Sequence, residues 1–261
     1  MGNGDGARTD YQVIAPQYDR RYALHRCDGI DACVAAFVGV GEPLDVVEVG
    51  CGTGHWLSQL AGRGHSVLGV DRSGGMLARA REKVVGDRLV LASAEALPLR
   101  AELFDRLLIV NALHHFVEPA RALCEARRVL KPGGKILIVG LQPRVPTTDW
   151  YVYTYFANTK QCDLERYPAQ EQLDAWLEQA GFGEPVHSIA QRFEQQTEAR
   201  AALSTEMIAK HTTSQLAELS EADYAHGITQ IEQQAAQAES QGAQLLLQAQ
   251  IELHATISTA Q

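Results

Sequence analysis

The feature that most constrains this chain is an acidic residue running into three alternating glycines, Glu48-Val49-Gly50-Cys51-Gly52-Thr53-Gly54. Glycine takes positive φ at no steric cost and lets a backbone pass close to a ligand. The apolar run Asp45 to Val49 reads as a strand entering this turn. His55 to Arg63, with Trp56, Leu57 and Leu60 on one side, reads as a helix leaving it. A strand, a glycine turn and a helix open an α/β sheet whose ligands bind beyond the strand ends. The spacing GxGxG differs from the GxGxxG dinucleotide fingerprint, in which a helix N-terminus receives a pyrophosphate. Asp71 closes the next apolar run. Its carboxylate can accept from both ribose hydroxyls, of an adenosine-type cofactor or of NAD alike.

The same alternation continues. Ser66 to Val70 reads as a strand ending at Asp71, and Ser73 caps a helix to about Val84 by accepting from free N–H groups of its first turn. Leu89 to Ala92 and Phe104 to Asn111 read as strands, and Glu118 to Leu130 as a helix. Lys131-Pro132-Gly133-Gly134 stops that helix, and Lys135 to Val139 reads as a fifth strand. Strands apolar on both faces and separated by helices imply a parallel sheet covered on both sides.

After Gly140 the texture changes to prolines and aromatics: Trp150, Tyr151, Tyr153, Tyr155 and Phe156. Ala169 to Ala180 reads as a helix and Val186 to Phe193 as a strand. Glu198 to His211 and Glu221 to Ala238 read as helices, the second a solvated surface helix without a heptad. The alternation from Leu245 to Ile257 reads as a long final strand with one apolar face. The expected fold class is α/β: a doubly wound, mostly parallel seven-stranded sheet with a helical cap. The expected organisation is a flexible tail (1–10), N-terminal lid helices (11–40), a core (41–142, 182–196 and 243–261) and cap insertions (143–181 and 197–242).

Composition excludes several classes. The formal net charge of −9 argues against a protein that grips nucleic acid through phosphates. No apolar run is long enough for a membrane span, and Met1 to Asp10 is Gly-rich and polar, unlike a secretory signal. Five cysteines without a CxxC pair read as isolated thiols in a reducing compartment, so the cytoplasm is the expected location. No metal site is expected, and the oligomeric state stays open between monomer and homodimer.

Four landmarks occur in order: the acidic GxGxG turn, Asp71, the segment Ala92-Ser93-Ala94-Glu95-Ala96-Leu97-Pro98-Leu99, and Phe104-Asp105 with Asn111-Ala112-Leu113-His114-His115-Phe116 and Leu130-Lys131-Pro132-Gly133-Gly134. With them the chain resembles the class I S-adenosylmethionine-dependent methyltransferases. The subgroup it is most similar to includes quinone-biosynthesis C-methyltransferases and trans-aconitate methyltransferase. The resemblance covers about Tyr11 to Gly140, and it implies a Rossmann-like sheet with the last strand antiparallel. It also implies a set of cofactor contacts. Gly50, Cys51 and Gly52 would approach the amino-acid part of the cofactor. Glu48 would orient the loop or reach the ammonium through water, and Asp71, with Arg72 beside it, would hold the ribose. The Ala94 N–H would meet the adenine, on which Met76 packs unless it is plain core. Asn111 would face the methionine moiety. Tyr18, in Ala15-Pro16-Gln17-Tyr18-Asp19, would belong to a lid over the cofactor unless it is a surface aromatic. Where the family often has an acidic residue this chain has Ser93, and Glu95 would take over the adenine amine through a charge-assisted bond.

Methyl transfer from a sulfonium is a displacement in which the protein supplies orientation and desolvation. A base is needed only when the acceptor holds a proton. His115, with His114 beside it, is the candidate; the alternative is that both rings simply pack. Tyr22, Tyr151, Tyr153, Tyr155 and Phe156 are candidates for an apolar acceptor pocket, or else anchor the cap. Arg192 and Arg200 are unranked partners for an acceptor carboxylate. The expected function is methyl transfer to a small molecule, through O, N, C or S, with S-adenosylhomocysteine as product. The competing readings are an NAD(P)-dependent oxidoreductase and a cofactor-binding regulatory protein without turnover.

Overall fold

The computed structural model describes Tyr18, Asp19, Tyr22 and residues 27–84 and 88–261. The expected tail, most of the expected lid and the segment Ala15-Pro16-Gln17 lie outside the described residues. Five parallel strands form the centre: β1 (Asp45–Val49), β2 (Ser66–Asp71), β3 (Leu89–Leu91), β4 (Phe104–Val110) and β5 (Leu130–Leu141). Helices α1 (Asp28–Val38), α2 (His55–Gly62), α3 (Gly74–Ala80) and α4 (Pro119–Val129) accompany them. Then follow β6 (Asp149–Trp150), α5 (Tyr151–Tyr155), α6 (Thr159–Arg166), α7 (Gln170–Gln179) and β7 (Val186–Glu198). The chain closes with α8 (Ala199–Leu203), α9 (Ser214–Ala217), α10 (Glu221–Ser240) and β8 (Leu246–Thr259).

The strand order is β3-β2-β1-β4-β5-β8-β6, with β7 also paired to β8. β8 runs antiparallel to β5, from Lys135↔Thr259 to Leu141↔Leu253. Order reverses at β1, whose neighbours are β2 and β4, so the crevice of a doubly wound sheet opens beyond the ends of β1 and β4. Val46, Val47, Leu107, Leu108, Ile136 and Leu137 are wholly buried. Successive residues point to opposite faces, so both faces are covered. Burying each such leucine or isoleucine stabilises the fold by about 1.5–3 kcal/mol.

The sheet has eight strands where seven are expected. The additional strand, β6, is two residues long and pairs with Ala249 and Gln250, too short to show an alternation. The expected stop at Lys131-Pro132-Gly133-Gly134 is part of β5, as an irregularity between the pairs Phe104↔Leu130 and Arg106↔Lys135. Gly133 takes φ 77° there, and its N–H donates to the Ala260 carbonyl at 3.0 Å.

The chain divides into two compact units: residues 27–142, 166–192 and 252–261, the sheet unit, and residues 1–26, 143–165 and 193–251, the cap unit. Residues 166–181, expected in the cap, fall in the sheet unit. The reason is packing: α7 buries Leu173 and Leu177 in the cluster that holds Leu123 and Ala126 of α4. Within the cap unit, Ser220 caps α10 by accepting from the Asp223 N–H at 3.0 Å, and Phe156 stacks on Tyr224 at 5.8 Å. The helix expected over 198–211 breaks after Leu203. Ser204 and Thr205 turn their hydroxyls onto the Ala201 and Ala202 carbonyls, and the Thr205 oxygen also accepts from the Met207 N–H. Among the described residues no helix is long and apolar enough to cross a membrane.

Candidate active site

The glycine turn is folded back on β2: the N–H groups of Gly50 and Cys51 both donate to the Val70 carbonyl, at 2.8 and 3.0 Å. Gly50, Gly52 and Gly54 all have positive φ, but they differ in their surroundings. A Cβ on Gly50 would lie 2.4 Å from the Ala112 Cβ, and one on Gly54 3.1 Å from the Ala80 Cβ. Nothing lies within 4 Å of a Cβ on Gly52. Two of the glycines therefore serve packing, and Gly52 leaves open space over the turn.

Asp71 organises this turn from β2. Its Oδ2 accepts from the Gly52 N–H and its Oδ1 from the Ser73 N–H, both at 2.8 Å. Each oxygen keeps a further lone pair for a ligand hydroxyl. Burial pushes its pKa up, against the opposing pull of the Ser73 and Gly52 N–H groups and of Arg72. Arg72 itself is exposed. Ser73 caps α3, accepting from the Met76 N–H at 3.3 Å. Met76 is 2% exposed, so in this structure it is core.

Glu48 is wholly buried, and neither carboxyl oxygen has a partner at hydrogen-bonding geometry among the described residues. Burial, then the charge of Asp71, pushes its pKa well above the usual carboxylate range, with only the Leu57 N–H acting the other way. A buried carboxyl held by so little is costly, and positive charge beside it would offset that cost. That fits a ligand carrying an ammonium or sulfonium near the glycine turn. The neighbouring Cys51 thiol is pushed up by burial and by the charges of Glu48 and Asp71, so it stays protonated and is no nucleophile.

Asn111 ends β4 at φ 50°, with its N–H donating to the Val139 carbonyl at 2.8 Å. Left-handed backbone at a non-glycine residue is uncommon and concentrates at functional sites. Ala94 is largely buried. Glu95, the expected holder of the adenine amine, also has partners within the protein. Its Oε1 accepts from the N–H groups of Val117 and Glu118, at 2.7 and 3.2 Å, and its Oε2 from the Ser93 hydroxyl. These bonds tie the Ala92–Leu99 segment to the chain just before α4. Burial pushes Glu95 up, but these donors outweigh it and leave it below its usual range.

Two further residues that sequence reasoning missed hold the same loop. Glu125 accepts from the Leu97 N–H at 2.8 Å. Arg128 donates to the carbonyls of Leu99 and Leu97 at 2.7 and 2.9 Å, and the two side chains pair with each other. Their only trace in the sequence is an i,i+3 charge pair on α4, a common surface pattern.

His115 lies in the short 3₁₀ turn Leu113–His115 beyond β4. Its ring centroid is 3.8 Å from that of His114. The cap-unit candidates are committed within their own unit. The Tyr151 hydroxyl reaches the Met207 carbonyl at 3.5 Å, and that of Tyr155 donates to Gln234 at 3.0 Å. Phe156 is 1% exposed and packs where Gly227 leaves room. Tyr153 donates to the buried Asp163. Tyr18 and Tyr22 meet edge to face at 6.2 Å. Arg192 and Arg200 pair with Glu252 and Glu239.

A doubly wound sheet with β8 antiparallel to β5, a GxGxG turn at the switch point and a carboxylate closing β2 define a class I methyltransferase domain. Comparison with known proteins agrees. A family model described as a methyltransferase domain matches residues 47–138. The chain is 33% identical over 167 residues to a demethylmenaquinone methyltransferase of Clavibacter sepedonicus, covering 54% of this chain and 66% of that protein. It is 33% identical over 168 residues to the ubiquinone/menaquinone biosynthesis C-methyltransferase of Bordetella avium, covering 58% and 65%. It is 31% identical over 193 residues to a demethylmenaquinone methyltransferase of Staphylococcus aureus, covering 70% and 80%. The chain thus spans less than two thirds of the first two relatives' length. Among solved structures, phosphoethanolamine N-methyltransferase 2 of Haemonchus contortus in complex with S-adenosyl-L-methionine superposes with a TM-score of 0.60 at 17% identity, over all of this chain and 61% of that one. The [4+2]-cyclase SpnF superposes with a TM-score of 0.56 at 20% identity, over 97% of each chain. The fold alone therefore does not select methyl transfer. The chain belongs to the family of S-adenosylmethionine-dependent methyltransferases.

Proposed function

We propose that this protein transfers the methyl group of S-adenosylmethionine to a carbon of a reduced quinone-type small molecule, in the cytoplasm. The observation that carries the cofactor is the pairing of Glu48, a wholly buried carboxyl beside which only the Leu57 N–H acts, with the open glycine turn pinned by Asp71. The acceptor reading is supported by the names of the relatives, which act on quinone precursors. The cytoplasmic reading is supported by five free cysteines.

When bound, S-adenosylmethionine supplies an electrophilic methyl group on a sulfonium. The rest is asked of this chain. Gly50, Cys51 and Gly52 offer a backbone without obstructing side chains. Asp71, with Arg72 at its side, accepts from the ribose hydroxyls, and Glu48 complements positive charge. The Ala94 N–H bonds the adenine and Asn111 faces the amino-acid part. Tyr22, Tyr151 and Tyr155 are the aromatics assigned to acceptor recognition. His115 accepts the hydroxyl proton of the acceptor, which leaves an electron pair to the ring carbon that is methylated.

The test is calorimetry with S-adenosylhomocysteine and with NAD, followed by incubation with a short-chain demethylated naphthoquinol and isotopically labelled S-adenosylmethionine. Binding of S-adenosylhomocysteine alone, and label on a ring carbon, is the expected result. NAD binding would overturn the cofactor reading. Label on oxygen, or none on the quinol, would overturn the acceptor reading.

A further inference from the structure

The turn beyond β4 holds more than one histidine. Ala112 and Phe116, on either side of Leu113–His115, both approach Gly50 of the cofactor turn. The two ends of the segment that carries His115 therefore flank the glycine turn. Its backbone is tied down: the His115 N–H donates to the Ala112 carbonyl at 2.9 Å and the Phe116 N–H to the Leu113 carbonyl at 3.1 Å. Beside it, His114 is fixed in two ways. Its ring stacks on that of Tyr167 at 4.1 Å and 21°, and its Nε2 lies 3.0 Å from the Tyr167 hydroxyl. Tyr167 is itself buried, and the Arg166 guanidinium lies 5.5 Å from the centre of its ring.

We propose that His114 and Tyr167 are positioning residues that hold the His115 imidazole as the base on the acceptor side, an inference that rests on the methyl-transfer reading above. An imidazole acts as a base only if it presents the nitrogen that lacks a proton, and its neighbours decide its orientation and tautomer. The Tyr167 hydroxyl and the stack together fix the angle of the His114 ring. His115 then packs, at 3.8 Å, against a flat ring locked at one angle rather than against a rotating one. Phenylalanine at 167 would keep the stack and lose the lock. The balance runs in two parts: the acceptor O–H bond breaks and its proton passes to a His115 ring nitrogen while a C–CH3 bond forms at the ring carbon and the methyl–sulfur bond breaks; the C–H bond of that carbon then breaks, its electron pair restores the aromatic ring, the oxygen regains a proton, and one proton is released to solvent per turnover.

The test compares Tyr167→Phe, His115→Ala and the double variant, each with S-adenosylhomocysteine affinity as the check on folding. Methyl transfer to the naphthoquinol is measured alongside the imidazole ¹⁵N spectra. General base catalysis is worth about 10²–10⁴-fold, so Tyr167→Phe is expected to lower kcat by about 10-fold. KM and S-adenosylhomocysteine affinity should be nearly unchanged, and the His114 and His115 nitrogen signals should shift. In the His115→Ala background the Tyr167 substitution is expected to have no further effect. An equal loss in both backgrounds, or unshifted His115 signals in Tyr167→Phe, would overturn the proposal. Absence of transfer by the unsubstituted protein would overturn the acceptor reading instead, and the spectra would still decide the positioning role.

Discussion

Gly50 and Gly52 look alike in the sequence and do different work. Gly50 is needed because Ala112 occupies the space where a side chain would go; Gly52 is needed because that space is open. Gly50→Ala should overpack the turn and lower stability by about 1–3 kcal/mol, read as a drop in Tm. Gly52→Ala meets no atom, so beyond the cost of its left-handed φ, about 1–2 kcal/mol, its main effect should be a loss of S-adenosylhomocysteine affinity. Equal effects of the two substitutions on affinity and on Tm would contradict this division. Glu48 gives a second prediction at this scale. Its pKa is raised on folding, so its stabilising contribution is full below the ordinary carboxylate range and is lost as pH rises through the folded value. Without ligand, Tm should therefore decline from pH 5 to pH 8 more steeply than in Glu48→Gln, which cannot ionise. Thermal scans across that range would show two parallel curves if the idea is wrong.

The elements were legible wherever burial made a periodic pattern. β1, β2 and β4 lie at or within a residue of the runs expected from apolar residues and glycine punctuation, because both faces of each strand meet the core. Three things were not legible, each for a physical reason. β6 is too short to have a period, and the break after Leu203 depends on hydroxyls that choose backbone carbonyls. The bonds that Glu95 accepts from Val117 and Glu118 join residues far apart in the sequence, with no local pattern to mark them. Removing that tie by Glu95→Ala should cost about 1–3 kcal/mol. Because the pKa of Glu95 is lowered on folding, this contribution is present at neutral pH and fades as pH falls through the folded value. Denaturant titrations at pH 7 and at pH 4 should therefore find a larger difference between the variant and the unsubstituted protein at pH 7. A difference of the same size at both pH values would rule this role out.

For the molecule as a whole, the cofactor half was readable from landmarks in order, while the acceptor side was not, since aromatic residues serve packing and recognition equally well. A ligand that binds only the folded state raises stability by about 2.7 kcal/mol at a hundred times its dissociation constant. At about 2–4 °C per kcal/mol, S-adenosylhomocysteine should raise Tm by about 5–10 °C, and NAD at the same concentration should leave it unchanged; a shift with NAD would count against the family's cofactor here. The place of β8 has a different consequence, for synthesis. Lys135 of β5 pairs with Thr259, and among the described residues β7 and β6 join the sheet through β8. While the chain is on the ribosome, one edge of β5 stays open until Leu253 to Thr259 have been translated. An unpaired apolar edge is an aggregation hazard, so the yield of folded protein should depend on how fast the residues between Leu141 and Thr259 emerge, and on what shields that edge in the meantime.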